Sequence, residues 1–168
     1  RNDISKGVIT LNNILGTIPF NNMVCTAWVT GQQLLDCLEM GARKYPDENG
    51  GFMQISGGCY TIDATIPSSV EIDDKGKFVG VKGAYRVRDV KVNGKPLELD
   101  KKYLLGAASY TLKNCGDGMS MFKNIELVQD EKMSDFDCVR QFISQELRGV
   151  VSEVYANPYG EGRIKIIK

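Results

Sequence analysis

The sequence predicts an α+β fold, a mixed sheet with a few helices packed on it. Short apolar or alternating runs outnumber helical stripes, three stripes at i, i+3, i+4 spacing begin at capping residues, and turn dipeptides such as Asn93-Gly94 separate the runs. No repeat, low-complexity tract or linker interrupts them, so residues 1–168 are expected to form one domain.

Thr10 stands before Leu11, Ile14 and Leu15, which share one helix face, and Gly16 can end that helix. Met23 to Val29 is apolar and β-prone. Thr30-Gly31-Gln32-Gln33 is a capping box, in which hydroxyl and amide satisfy free N–H groups at a helix start. Leu34, Leu35, Leu38 and Ala42 then line one face, and the stretch from Pro46 to Gly51 breaks the helix. Strands are expected at Phe52 to Ile55, Cys59 to Asp63, Ser69 to Ile72, Phe78 to Val81 and Arg86 to Val92. Asp74-Lys75-Gly76-Lys77 and Asn93-Gly94 are turns. Tyr103 to Ser109 reads as a buried strand and Gly116-Asp117-Gly118 as a loop. Ser134 opens the last helix with Asp137 as its capping partner. Phe136, Val139, Ile143 and Leu147 form its buried stripe, and Gly149 terminates it. Arg163 to Ile167 closes the chain as a strand.

Composition removes several function classes. The 168 residues carry 21 Lys plus Arg against 21 Asp plus Glu, so no broad field draws in nucleic acid or an anionic membrane. There is no histidine. A His-based zinc site and a Ser-His or Cys-His catalytic arrangement are therefore impossible within this chain. The five cysteines are widely spaced with no C-x-x-C pair, which reads as buried, reduced thiols rather than a zinc knuckle. No run approaches the ~18 apolar residues that a membrane span needs. The opening Arg1-Asn2-Asp3 reads as the start of a piece excised from a longer protein.

Three segments carry residues suited to a ligand. In Ile18-Pro19-Phe20-Asn21-Asn22 an aromatic face sits beside two amides, a combination that can hold a planar heterocycle or equally plug a turn. An apolar run delivers Tyr110 to Asn114-Cys115-Gly116-Asp117-Gly118, where a carboxylate suited to vicinal hydroxyls lies between glycines. Asn49-Gly50-Gly51-Phe52 can expose backbone groups or simply turn. Phosphate-binding loops of the P-loop and dinucleotide types are absent.

In order and spacing these segments resemble the C-terminal domain of the 5′-nucleotidases, a family that includes UDP-sugar hydrolases and 2′,3′-cyclic nucleotide phosphodiesterases. The resemblance runs through Gly7-Val8-Ile9-Thr10, Ile18-Pro19-Phe20-Asn21-Asn22, Thr30-Gly31-Gln32-Gln33-Leu34 and Gly50-Gly51-Phe52-Met53-Gln54-Ile55-Ser56-Gly57. It continues through Val92-Asn93-Gly94-Lys95-Pro96-Leu97, Gly116-Asp117-Gly118 and Glu161-Gly162-Arg163-Ile164. It implies that Phe20 and Tyr110 sandwich a base, that Asn22 bonds the base, and that Asp117 holds ribose hydroxyls. It further implies a backbone contact near Gly50 and a phosphate grip by Arg1. Tyr110 stands where Phe is frequent, and the loop to Asp117 is one residue longer than usual. If only the ring face matters, Tyr110→Phe is expected to be nearly neutral.

The resemblance also implies a division of labour. Two divalent metal ions and the catalytic residues would belong to an N-terminal domain absent from these residues, so this chain would bind no cofactor and be inactive alone. Its partners would be a nucleotide or nucleoside and that N-terminal domain, with no nucleic acid and no membrane contact. Its setting would be extracellular, periplasmic or cell-wall associated. The alternative is a non-catalytic nucleotide-binding or cell-surface module.

Overall fold

The computed structural model describes residues 2–157 and 160–168. In chain order the elements are α1 (Leu11–Thr17), β1 (Met23–Thr30), α2 (Gly31–Ala42), β2 (Gly58–Asp63), β3 (Val70–Ile72), β4 (Phe78–Val81), β5 (Val87–Val92) and β6 (Lys95–Pro96). They continue with β7 (Lys102–Ala108), α3 (Ser109–Leu112), β8 (Glu126–Ser134), α4 (Asp135–Gln141) and β9 (Ile164–Ile167). The expected α+β class holds. Its strands fall into three sheets: an antiparallel β7-β1-β8, a mixed β6-β5-β2-β9 in which β2 and β9 run parallel, and the β3-β4 hairpin.

Helix α2 joins the two larger sheets. The Thr30 hydroxyl accepts from Gln33 N–H at 3.1 Å, and Gln33 Oε1 accepts from Thr30 N–H at 2.8 Å, so the predicted capping box forms. One face of α2 sends Cys37 and Met40 into a core shared with Cys25, Ala27 and Val29 of β1, Leu112, Met119 and Phe122. Its other face sends Leu38 and Ala42 into a second core with Tyr60, Ile62, Val87 and Val90. A helix packed on two sides buries nearly its whole C-terminal half, including Glu39.

Several local expectations change. Residues 52–55 form no strand. Phe52 N–H bonds Asn49 O, Tyr60 Oη donates to Met53 O, and Arg163 donates to Ile55 O, so turn and side-chain partners replace a ladder. Strand β7 is not fully buried; it is an edge strand that alternates exposed and half-buried residues over one core face. Strand β8, a charged edge with two register shifts against β1, was not anticipated. The last helix passes from α4 into a π-helical turn at Phe142–Glu146. Its stripe is only half-buried, and Ile143 and Leu147 line an open groove of about 790 Å³ with Ile4 and Ile9. Gly149, at φ 83°, closes it by donating to Ile143 O.

All five cysteines are free. Cys25 and Cys37 are buried, and burial pushes the Cys37 thiol up to about 12. Cys59, Cys115 and Cys138 are half-buried. A bulky thiol reagent is therefore expected to modify at most these three quickly in the native protein, and all five after denaturation. Rapid native modification of four or more contradicts the packing.

Candidate functional site

Strands β1 and β7 pair antiparallel with Val24 opposite Ala108. The chain enters this end of the pair through Phe20 and Asn22 and leaves it, two residues past Ala108, with Tyr110. The two aromatic residues, 90 positions apart in sequence, thus flank one end of one strand pair. Neither is a core residue, since Phe20 is 64% exposed and Tyr110 44%.

Asn21, at φ 49°, makes the left-handed step into β1, a conformation asparagine tolerates. Asn22 is then clamped to the start of α4. Its N–H donates to Asp135 Oδ2 at 3.2 Å, and Asp135 N–H donates to Asn22 O at 2.8 Å. Among the described residues the Asn22 side-chain amide makes no hydrogen bond. The sequence carries no local signal for this clamp, which only the pairing of β1 with β8 creates.

Tyr110 sits in the first turn of α3, and the following loop folds back onto it. A Cβ on Gly116 would come within 2.3 Å of the Tyr110 ring, so a glycine is required for this approach. The Tyr110 hydroxyl accepts from Asp117 N–H at 3.2 Å and donates to Asp117 Oδ1 at 3.3 Å. Cys115 and Asp117 both hold left-handed φ values, 53° and 52°. Gly118 passes so close beneath the β3-β4 turn that a Cβ there would lie 2.2 Å from Gly76 O. Ser120 Oγ donates to Phe78 O and pins the hairpin over this loop.

Of the paired glycines, Gly51 lies against Asp117 and Gly50 stands open to solvent. A Cβ on Gly51 would lie 3.0 Å from Asp117 Cβ, whereas a Cβ on the exposed Gly50 would meet nothing within 4 Å. Asn49 holds this turn by donating to Gly41 O at 2.7 Å and accepting from Gly51 N–H at 3.3 Å. Arg1 lies outside the described residues. The fold therefore joins Tyr110, Asp117 and Gly51 by contact and sets Phe20 and Asn22 at the same sheet end. This arrangement offers aromatic faces, a free amide and a tethered carboxylate, groups that suit a planar heterocycle bearing hydroxyls. Among the described residues no three of His, Cys, Asp and Glu are grouped to hold a metal ion.

The family profile described as "5′-nucleotidase, C-terminal domain" matches residues 1–124. The chain belongs to that family. It is 28% identical over 170 residues to the trifunctional nucleotide phosphoesterase protein YfkN of Bacillus subtilis, covering 98% of this chain and 10% of that protein. It is 29% identical over 163 residues to a 5′-nucleotidase of Mus musculus, covering 96% of this chain and 25% of the relative. Among solved structures, the 5′-nucleotidase precursor of Thermus thermophilus superposes with a TM-score of 0.74 at 25% identity, over 95% of this chain and 28% of that one. The chain thus spans about a tenth to a quarter of the length of these relatives. No helix among the described residues is long and apolar enough to cross a membrane.

Proposed function

We propose that this chain is the nucleoside-recognising domain of a metal-dependent 5′-nucleotidase-type phosphoesterase that works outside the cytoplasm, in an extracellular, periplasmic or cell-wall setting. Phe20 and Tyr110 stack on the two faces of the base, Asn22 bonds its edge, and Asp117 accepts from the ribose hydroxyls. The backbone near Gly50 lines the base, and Arg1 grips phosphate. The observation that carries this reading is the pair of exposed aromatic rings flanking one end of the β1-β7 pair, with Asp117 tethered to one of them. A base is flat and poorly solvated on its faces, so two rings can remove both faces from water.

The parent protein's N-terminal domain, with two divalent metal ions, would supply activated water and charge neutralisation. This chain would bind and orient the nucleotide, a proximity contribution, and a domain rotation would carry substrate to the metals. The pure chain is therefore expected to bind adenosine in a calorimetric titration and to release no phosphate from AMP, with or without added divalent metal. Metal-dependent phosphate release by the pure chain would overturn the division of labour. Absence of binding would overturn the nucleoside reading.

A further inference from the structure

We propose that the Tyr110 hydroxyl is a positioning group for the Asp117 carboxylate, and that it sets how strongly the pocket prefers a sugar with vicinal hydroxyls. The inference rests on the nucleoside reading above and gives the phenol oxygen a role that the sequence left to the ring alone.

The loop from Asn114 to Gly118 is poorly placed to hold its own carboxylate. Cys115 and Asp117 occupy left-handed backbone at non-glycine residues, with Gly118 at φ 80°. Such conformations persist only where neighbours over-determine them. Two neighbours act on the backbone: Gly116 closes on the Tyr110 ring, and Gly118 lies under Gly76 O. Neither reaches the Asp117 side chain, which is exposed. The phenol oxygen does. It takes the Asp117 N–H and donates to Oδ1, so one atom fixes both the backbone and the rotamer of this residue.

The fixed rotamer leaves a defined acceptor. Oδ2 lies on the Gly51 side and has no protein hydrogen bond among the described residues. The missing side chain at Gly51 keeps room beside it. Two adjacent sugar hydroxyls can donate to Oδ2 and to the second lone pair of Oδ1, with the carboxylate already oriented before binding. Preorganisation of this kind raises affinity by removing an ordering penalty that the complex would otherwise carry. A phenylalanine at position 110 would keep the stacking face and lose both bonds. The effect should fall on the sugar rather than on the base.

The test is a calorimetric comparison of adenosine with 2′,3′-dideoxyadenosine on the full chain, on Tyr110→Phe, on Asp117→Ala and on the double variant. The wild-type chain should prefer adenosine, and Tyr110→Phe should shrink that preference about five- to tenfold. In the Asp117→Ala background Tyr110→Phe should leave the preference unchanged, because the group it positions is gone. An unchanged preference in Tyr110→Phe, or an equal fall in both affinities, overturns the positioning role. The same shrinkage in the Asp117→Ala background also overturns it. A wild-type chain that binds both nucleosides equally removes Asp117 from the sugar, and the proposal with it, while the nucleoside reading stands. A wild-type chain that binds neither overturns both.

Discussion

Phe20→Ala is expected to weaken adenosine binding about 5- to 150-fold and to leave the fold standing. The magnitude follows from stacking of a base on one aromatic ring, worth roughly 1–3 kcal/mol by alanine substitution. The fold survives because the ring is 64% exposed and belongs to neither core cluster. Removing a buried Phe would instead cost about 3–5 kcal/mol of stability. Tyr110→Ala should lose more affinity than Phe20→Ala, since it removes a ring and the tether on Asp117 together. The two losses need not add, because both rings would touch one base. Titrations beside thermal melts decide the matter. If Phe20→Ala keeps native affinity, or if its melt collapses, Phe20 is no stacking residue.

Features set by neighbours in sequence were legible, and features set by distant partners were not. The Thr30 capping box needs only residues 30–33, and it forms as read. Asn93-Gly94 needs only a two-residue turn with both φ positive, and the pair adopts 50° and 77° between the paired Val92 and Lys95. Strand β8 gave no such signal. Its Gln129-Asp130-Glu131-Lys132 stretch looks like loop by composition, yet an exposed sheet edge accepts charge and is protected by it. Lys113 draws two of those acids together, at 2.7 Å from Asp130 and 3.1 Å from Glu131. The same division runs through the candidate site. Phe20, Tyr110 and Asp117 were found by residue type and motif. That Gly51 is the glycine beside Asp117 was not legible, because two adjacent glycines carry no such information in sequence. The tether from Tyr110 to Asp117 depends on a loop that folds back through left-handed residues no local pattern announces.

The largest loss of stability is expected from Glu39→Ala. Glu39 is fully buried on α2, and its two oxygens accept from the backbone N–H groups of Arg86, at 3.1 Å, and Val87, at 2.7 Å, where β5 begins. Arg86 answers from the other side. Its Nη1 donates to the carbonyls of Ala42, at 3.3 Å, and Tyr45, at 3.1 Å, and so caps the C-terminus of α2, whose own last turn carries no basic residue. Alanine at 39 strands two buried N–H donors, those of Arg86 and Val87. A loss of about 2–6 kcal/mol follows from two unsatisfied donors, with a melting point lower by roughly 4–24 °C. Glu39→Gln should lose less, since it keeps one acceptor and sets an amide N–H against the other donor. The pH dependence has a definite sign. Burial holds the Glu39 carboxyl above the usual carboxylate range, although the two N–H groups and Arg86 pull it down. A carboxyl raised in the fold favours the folded state below its unfolded pKa, and that contribution is lost as pH rises through the folded value. The stability of wild type minus that of Glu39→Gln should therefore shrink from acid toward neutral pH. A difference that grows over that range would mean that the N–H groups and Arg86 outweigh burial. The consequence would reach the candidate site as well, because the same helix carries Gly41, which holds the Asn49–Gly51 turn, and Met40, which packs beneath Gly118.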